Sequence, residues 1–185
     1  MRYRREDVVD RALRVLDDYG LADLTMRRLG TELGVQPSAL YHHFANKQAL
    51  LAAVADELLA RGGRPVPPGE WDDRARVVCL SLRDACLAWR DGAEVVATAR
   101  AFGLGGLAPY AALVDVLGEG GLGDELAGAA ATTLVHLVLG HATDEQLRRQ
   151  AGSAGALEAD DLDRDFTAEV TTGVDLVLAG LRARV

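Results

Sequence analysis

The sequence predicts an all-α protein with a small helical head at the N-terminus and a larger helical body behind it. Three observations carry that expectation. Apolar residues recur three and four positions apart through most segments, and no stretch alternates apolar and polar residues as a half-buried strand would. Of 185 residues, 49% are hydrophobic and only 5% aromatic, with Leu, Ala and Val dominant, which is core enough for one or two domains. The segment 62–70, GGRPVPPGE, contains three prolines and three glycines and cannot continue a helix. It sets the expected boundary between a head, residues 1–61, and a body, residues 62–185.

The first helix is expected from about Arg5 to Tyr19, with Val8, Val9, Ala12, Leu13, Leu16 and Tyr19 as its core stripe and Gly20 as its stop. Arg2, Arg4 and Arg5 precede or open it; they read either as phosphate contacts or as a disordered basic tail. The next stretch, Thr25 to Lys47, reads as helix, tight turn, helix. Thr25 is a good N-cap, because its hydroxyl satisfies an orphan N–H. Met26, Leu29 and Leu33 form one apolar stripe, and Gly34 suits the left-handed end of a helix. Pro37 fits a first helical position, where its missing N–H costs nothing. Leu40 and Phe44 lie one turn apart and point inward, which leaves Ser38, Tyr41 and His42 outward. Asn46 caps the next helix, expected from Lys47 to about Arg61.

Two short helices around a Gly turn read DNA when the second fits a major groove; otherwise they are an ordinary pair in an all-α core. The outward face favours DNA. Solvated faces usually carry Glu and Lys, whereas this one carries Ser, Tyr and His with Arg27, Arg28 and Lys47 nearby, groups that suit phosphates and base edges.

In the body, helices are expected over about Trp71–Trp89, Ala93–Ala101, Ala108–Leu117, Asp124–Gln150 and Leu162–Arg182. The breaks are Asp91-Gly92, FGLGG at 102–106, GEGGLG after residue 117, and QAGSAGALEADD at 150–161, the best candidate for a mobile loop. The two last helices carry small residues among Leu and Val, so another helix can approach closely. That pattern suggests self-association, the alternative being burial of both faces within one chain.

Net charge is −8, which does not by itself favour nucleic acid. Its distribution is permissive: residues 1–50 hold eight basic and seven acidic side chains, against twelve and twenty-one in the remainder. Cys79 and Cys86 fall on one expected helix, two turns apart, and read as small buried groups rather than as a disulfide. No Cys/His spacing resembles a zinc site. No run of about 18 apolar residues is free of charges or breakers, and no apolar run follows the charged N-terminus; the expectation is a cytoplasmic protein without a membrane span.

LTMRRLGTELGV followed by SALYHHFANKQALL resembles the DNA-binding domain of the TetR family of bacterial transcriptional repressors, over roughly the first sixty residues. Leu40, Tyr41, Phe44, Lys47 and Leu50 fall at the family's spacing. Gly30 departs from it, since members usually carry Ala there; Gly costs about 1 kcal/mol in a helix, so this helix is either weaker or crosses its partner more closely. Further on, Arg90-Asp91-Gly92-Ala93 followed by Val95 is similar to the segment entering the sixth helix of the tetracycline-responsive branch, and His136, Gly140 and Gln146 fit that branch too. The branch has a magnesium-binding His where this chain has Val96. In an ungapped comparison, Val78 and Leu113 stand where its pocket is polar.

The resemblance implies a homodimeric regulator, most simply a repressor, that binds an inverted-repeat DNA operator and is released by a small molecule. Two heads would enter successive major grooves about 34 Å apart or a multiple, and the two long final helices of each subunit would form a four-helix bundle. Thr25, Tyr41 and Lys47 are the expected phosphate contacts; Arg27, Gln36, Ser38 and His42 are the expected base readers. The effector is expected to be largely apolar, with no metal or other cofactor. Its candidate contacts are Leu82, Trp89, Val96, Arg100, Phe102, Leu113 and His136. Each has a plainer reading: Leu82, Val96 and Leu113 as core, Arg100 as a surface charge, His136 as an interface histidine. Catalysis is not expected. No Ser/His/Asp or Cys/His arrangement stands out, and the pairs Asp17-Asp18, Asp72-Asp73 and Asp160-Asp161 sit where helix ends and loops explain them. An activator would use the same head, because the sign of regulation depends on operator position.

Overall fold

The computed structural model describes residues 3–155 and 164–185. Arg2, the 156–161 part of the expected mobile loop with Asp160-Asp161, and the expected helix start at Leu162 lie outside them. Among the described residues there are nine helices and no strand: α1 (Arg5–Tyr19), α2 (Met26–Leu33), α3 (Pro37–Leu40), α4 (Lys47–Gly62), α5 (Trp71–Leu87), α6 (Gly92–Ala101), α7 (Ala108–Glu119), α8 (Asp124–Ser153) and α9 (Phe166–Arg182). The expected all-α fold is therefore the observed one. Two ends differ. α5 stops at Leu87 rather than Trp89, because the chain turns through Asp91, a non-glycine residue at φ 55°. α8 runs one turn beyond Gln150, and Gln150 itself is helical.

The chain gathers into two compact units. The first comprises the residues up to Arg61 together with Ala85–Gly106; the second comprises Gly62–Asp84 together with Leu107–Val185.

In the first unit, the core is built from the stripes that the sequence predicts, Val8, Ala12, Leu13 and Leu16 of α1, Leu29 of α2, Leu40 of α3, Phe44, and Leu50, Val54 and Leu58 of α4, all buried; Tyr19, expected in the α1 stripe, is instead 42% exposed at the end of that helix, with Arg28 over its ring. Burying side chains of this size is worth about 1.5–3 kcal/mol each. Ala93, Val95, Val96 and Ala99 of α6 are buried as well. Polar bonds tie both ends of the 85–106 segment within this unit. The Asp91 carboxylate accepts the Leu21 N–H at 2.8 Å, and the Asp56 carboxylate of α4 accepts the Gly106 N–H at 2.7 Å. Next to the latter, Gly105 lies so close to α4 that a Cβ would sit 2.8 Å from the Ala52 carbonyl oxygen.

Gly30 answers the question raised by its departure from the family. It is buried, and a Cβ there would lie 2.9 Å from the Val35 carbonyl oxygen and 3.3 Å from the Pro37 nitrogen. The turn thus folds back onto α2 because Gly30 has no side chain. Alanine would gain about 1 kcal/mol of helix propensity but must push backbone away, at about 1–3 kcal/mol. Gly30→Ala is expected to lower the urea midpoint; a raised midpoint would show that the turn relaxes freely.

In the second unit, α8 packs on α7 and on α9. Leu113 and Leu117 of α7, Leu134 and Val138 of α8, and Val170, Val174 and Leu178 of α9 are buried with Val78, Cys79 and Leu82 of α5. Charged bonds radiate from α5: Arg74 to Glu119 of α7, Arg76 to Asp175 of α9 at 2.7 Å, Asp72 to Arg182 of α9, and Arg83 to Glu145 of α8 at 2.7 Å. α8 alone among the described helices is long and apolar enough to cross a membrane by length and composition. Its apolar residues, among them Leu134, Val135, Val138 and Leu139, are spent on the core of this unit. Cys79 of this unit and Cys86 of the first unit are both buried, and desolvation pushes each thiol up to about 12, so neither is a thiolate at neutral pH.

Candidate nucleic-acid interface

The turn between α2 and α3 is built by local chemistry. The Thr25 hydroxyl accepts the Arg28 N–H at 3.0 Å and caps α2. Gly34 takes the left-handed conformation, φ 66°, and its N–H bonds to the Thr31 carbonyl at 3.1 Å while the Val35 N–H reaches Gly30 at 2.9 Å. Gln36 is extended at the N-cap of α3 and Pro37 opens the helix. The regular part of α3 is only Pro37–Leu40. Beyond it the chain continues as a turn in which the N–H groups of His43 and Phe44 both bond to the Leu40 carbonyl, at 2.9 and 3.0 Å. After this turn the chain bends at Ala45 and Asn46, and Asn46 caps α4, its side-chain oxygen accepting the Ala49 N–H at 2.8 Å.

This arrangement buries Leu40 and Phe44, each 2% exposed, and leaves Gln36, Ser38, Tyr41 and His42 exposed, Tyr41 by 52%. Thr25 and Arg27 are also exposed, and Lys47 is half-buried. All seven DNA-contact candidates therefore present accessible groups in one unit.

The cations, which look alike in the sequence, divide in the structure. Arg28 bonds Glu32 at 3.1 Å and lies 3.8 Å over the Tyr19 ring. Arg11 also approaches Glu32, and Arg61 bonds Asp10 and Glu57. Arg27 and Lys47 enter no ion pair among the described residues, so their charge is not already neutralised. The i,i+4 spacing of Arg28 and Glu32 was the available signal for this difference.

The effector candidates are distributed over both units. Trp89, Val96, Arg100 and Phe102 belong to the first; Leu82, Leu113 and His136 belong to the second. Leu82, Val96 and Leu113 are buried, whereas Phe102 is 58% exposed and His136 is exposed. Within the first unit, Val96 and Arg100 both lie against Gly106, and the Arg61 guanidinium lies 5.9 Å over the Trp89 ring. A groove of about 840 Å³ between α1 and α4, floored by Val9, Ala49, Ala52 and Ala53, has none of these seven residues in its lining. Among the described residues no group of His, Cys, Asp and Glu is placed to hold a metal ion.

The family described as "Bacterial regulatory proteins, tetR family" matches residues 8–54, and "Tetracyclin repressor-like, C-terminal domain" matches residues 64–169. The class D tetracycline repressor of Escherichia coli is 42% identical over 97 residues, 51% of this chain and 44% of the repressor, so the match spans less than half the length of that curated relative. The crystal structure of Mycobacterium smegmatis BioQ is 41% identical with a TM-score of 0.90, covering 99% of each chain. A crystal structure of BioQ with its double-stranded DNA operator is 39% identical with a TM-score of 0.84, covering 98% of this chain and 99% of that one. Streptomyces coelicolor ActR in complex with (S)-DNPA is 29% identical with a TM-score of 0.81, covering 100% of both. With both family matches in register and a relative above 40% identity along almost its whole length, this chain belongs to the TetR family of bacterial regulatory proteins.

Proposed function

We propose that the protein is a transcriptional repressor that binds an inverted-repeat operator as a homodimer and is released by a small, largely apolar effector. One observation carries the reading: an exposed face of Gln36, Ser38, Tyr41 and His42 in and just after α3, anchored from behind by buried Leu40 and Phe44 and flanked by Arg27 and Lys47, which enter no ion pair among the described residues. Thr25, Tyr41 and Lys47 hold phosphates, while Arg27, Gln36, Ser38 and His42 meet base edges. The operator complex of BioQ and the small-molecule complex of ActR support a protein that binds both kinds of partner. Residues 1–61 act as the DNA-binding domain, and residues 62–185 as the effector and dimerisation domain. Leu147 and Leu176, 59% and 71% exposed on α8 and α9, support dimerisation through these two helices.

The effector acts by binding the released state more tightly than the operator-bound one. A coupling of about 1–3 kcal/mol is typical. The protein works in the cytoplasm as a regulator rather than an enzyme. Selection of bound duplexes from a random DNA pool tests the reading. Enrichment of an inverted repeat by wild-type protein, and by no variant altered at both Tyr41 and Lys47, is the expected result. Failure to enrich any sequence, also after unfolding and refolding to strip a retained ligand, would sink it.

A further inference from the structure

The basic residues at the start of the chain have no settled role in the sequence, and the structure separates them. Arg4 is exposed, with its backbone N–H bonded to Asp7. Arg5, the first residue of α1, lays its guanidinium over the Phe44 ring, 4.8 Å from the centroid. Phe44 is 2% exposed and closes the Leu40–Phe44 turn that carries Tyr41 and His42. Arg5 also lines the α1–α4 groove together with Ala49, in the first turn of α4. The start of α1 is thereby pinned to the segment that follows the reading face.

The same cation has no acidic partner among the described residues. Arg11, Arg28 and Arg61 of this unit are paired with carboxylates, whereas Arg5 enters no ion pair among the described residues. A guanidinium held over an aromatic face keeps N–H donors available to a further partner, and the contact restrains its position without neutralising its charge. Such a group is an oriented cation that has already lost much of its side-chain freedom. It is suited to one more anionic oxygen, and a planar fork matches a phosphodiester.

We propose that Arg5 is a phosphate-binding residue of the DNA interface, held by Phe44 so that it grips the operator backbone beside the α3 reading face. This rests on the DNA-binding reading above. Arg5 then adds affinity without base preference, because a phosphate contact positions the head and carries no sequence information. Phe44 serves twice: its buried face anchors α3, and the face under Arg5 sets where the cation stands.

The test is the salt dependence of operator binding by fluorescence anisotropy, with wild type, Arg5→Gln and Arg5→Lys compared from 50 to 200 mM salt on the selected duplex. Each lost phosphate contact lowers the slope of log K against log salt by about 0.9, and a dimer loses one per head. Over that fourfold salt range wild type should therefore lose about tenfold more affinity than Arg5→Gln. Arg5→Lys should keep the wild-type slope, because the charge remains, and both variants should melt close to wild type. A wild-type slope in Arg5→Gln overturns the proposal, even if affinity at one salt concentration falls, since that pattern means Arg5 acts only by covering Phe44. If wild type itself binds no duplex, the DNA-binding reading falls first and this one with it, and that failure is seen before any variant is compared.

Discussion

Tyr41→Ala should weaken operator binding by a hundredfold or more while the protein remains a dimer of wild-type mass. The phenol is 52% exposed in the turn after α3, so its removal takes little from the core, and exposed substitutions usually shift stability by no more than about 0.5 kcal/mol. Bound to a phosphate, each hydroxyl makes a hydrogen bond to a charged acceptor, worth about 1.5–3 kcal/mol. Two heads lose two such bonds, about 3 kcal/mol or more, and every 1.4 kcal/mol is tenfold in affinity. Lys47→Ala should act differently: it should weaken binding evenly across operator variants and flatten the salt slope by about 0.9 per head. Anisotropy titrations paired with light scattering on a sizing column read both effects. If Tyr41→Ala dissociates the dimer, or binds the operator like wild type, the assignment of the α3 face is wrong.

Glu145→Ala should be the most destabilising single substitution of a charged residue in the second unit. Arg83 and Glu145 are both buried, with side chains 8% and 5% exposed, and are joined at 2.7 Å between α5 and α8. The same Arg83 nitrogen also donates to the Thr167 hydroxyl of α9 at 3.0 Å, so one guanidinium ties three helices. Removing the carboxylate leaves that cation desolvated, with Thr167 and a 3.4 Å contact to Asp84 as its remaining partners among the described residues. Breaking a buried pair from one side costs about 3–5 kcal/mol. The double variant Arg83→Met/Glu145→Leu removes both charges and fills the space, so it should recover most of the loss. Urea denaturation at one fixed protein concentration, needed because dimerisation links stability to concentration, decides the matter. A Glu145→Ala loss under 1 kcal/mol would mean that water reaches the site.

The sequence by itself determined the helices, the turn and the accessible face. Thr25, Gly34, Pro37 and Asn46 are local signals acting within four residues, and each performs in the structure the capping or turning role its chemistry predicts. Apolar spacing likewise placed Leu40 and Phe44 inside, and Tyr41 and His42 outside, because the turn after α3 keeps a helix-like four-residue step, with the Phe44 N–H bonded to the Leu40 carbonyl. The resemblance of the head needed nothing further, since its motif lies in one continuous stretch. The effector candidates were not legible in the same way. They are scattered over four helices and two turns, and periodicity alone does not separate a cavity wall from a packed core.

Only the tertiary structure decided which charges are spent and which backbones touch. Arg27 and Arg28 are neighbours of one type; spacing alone marks Arg28 for Glu32, but only the fold lays its guanidinium over the Tyr19 ring and brings Arg11 to the same carboxylate. Gly30 looks like a weak point in a helix until Val35 and Pro37 are seen to press on it. Arg5 meets Phe44, Asp91 meets Leu21, and Arg83 meets Glu145 across 39, 70 and 62 positions. No periodic pattern encodes contacts at such separations. They arise when several amphipathic helices bury their stripes together, and that shared burial sets which polar groups are brought within reach of one another.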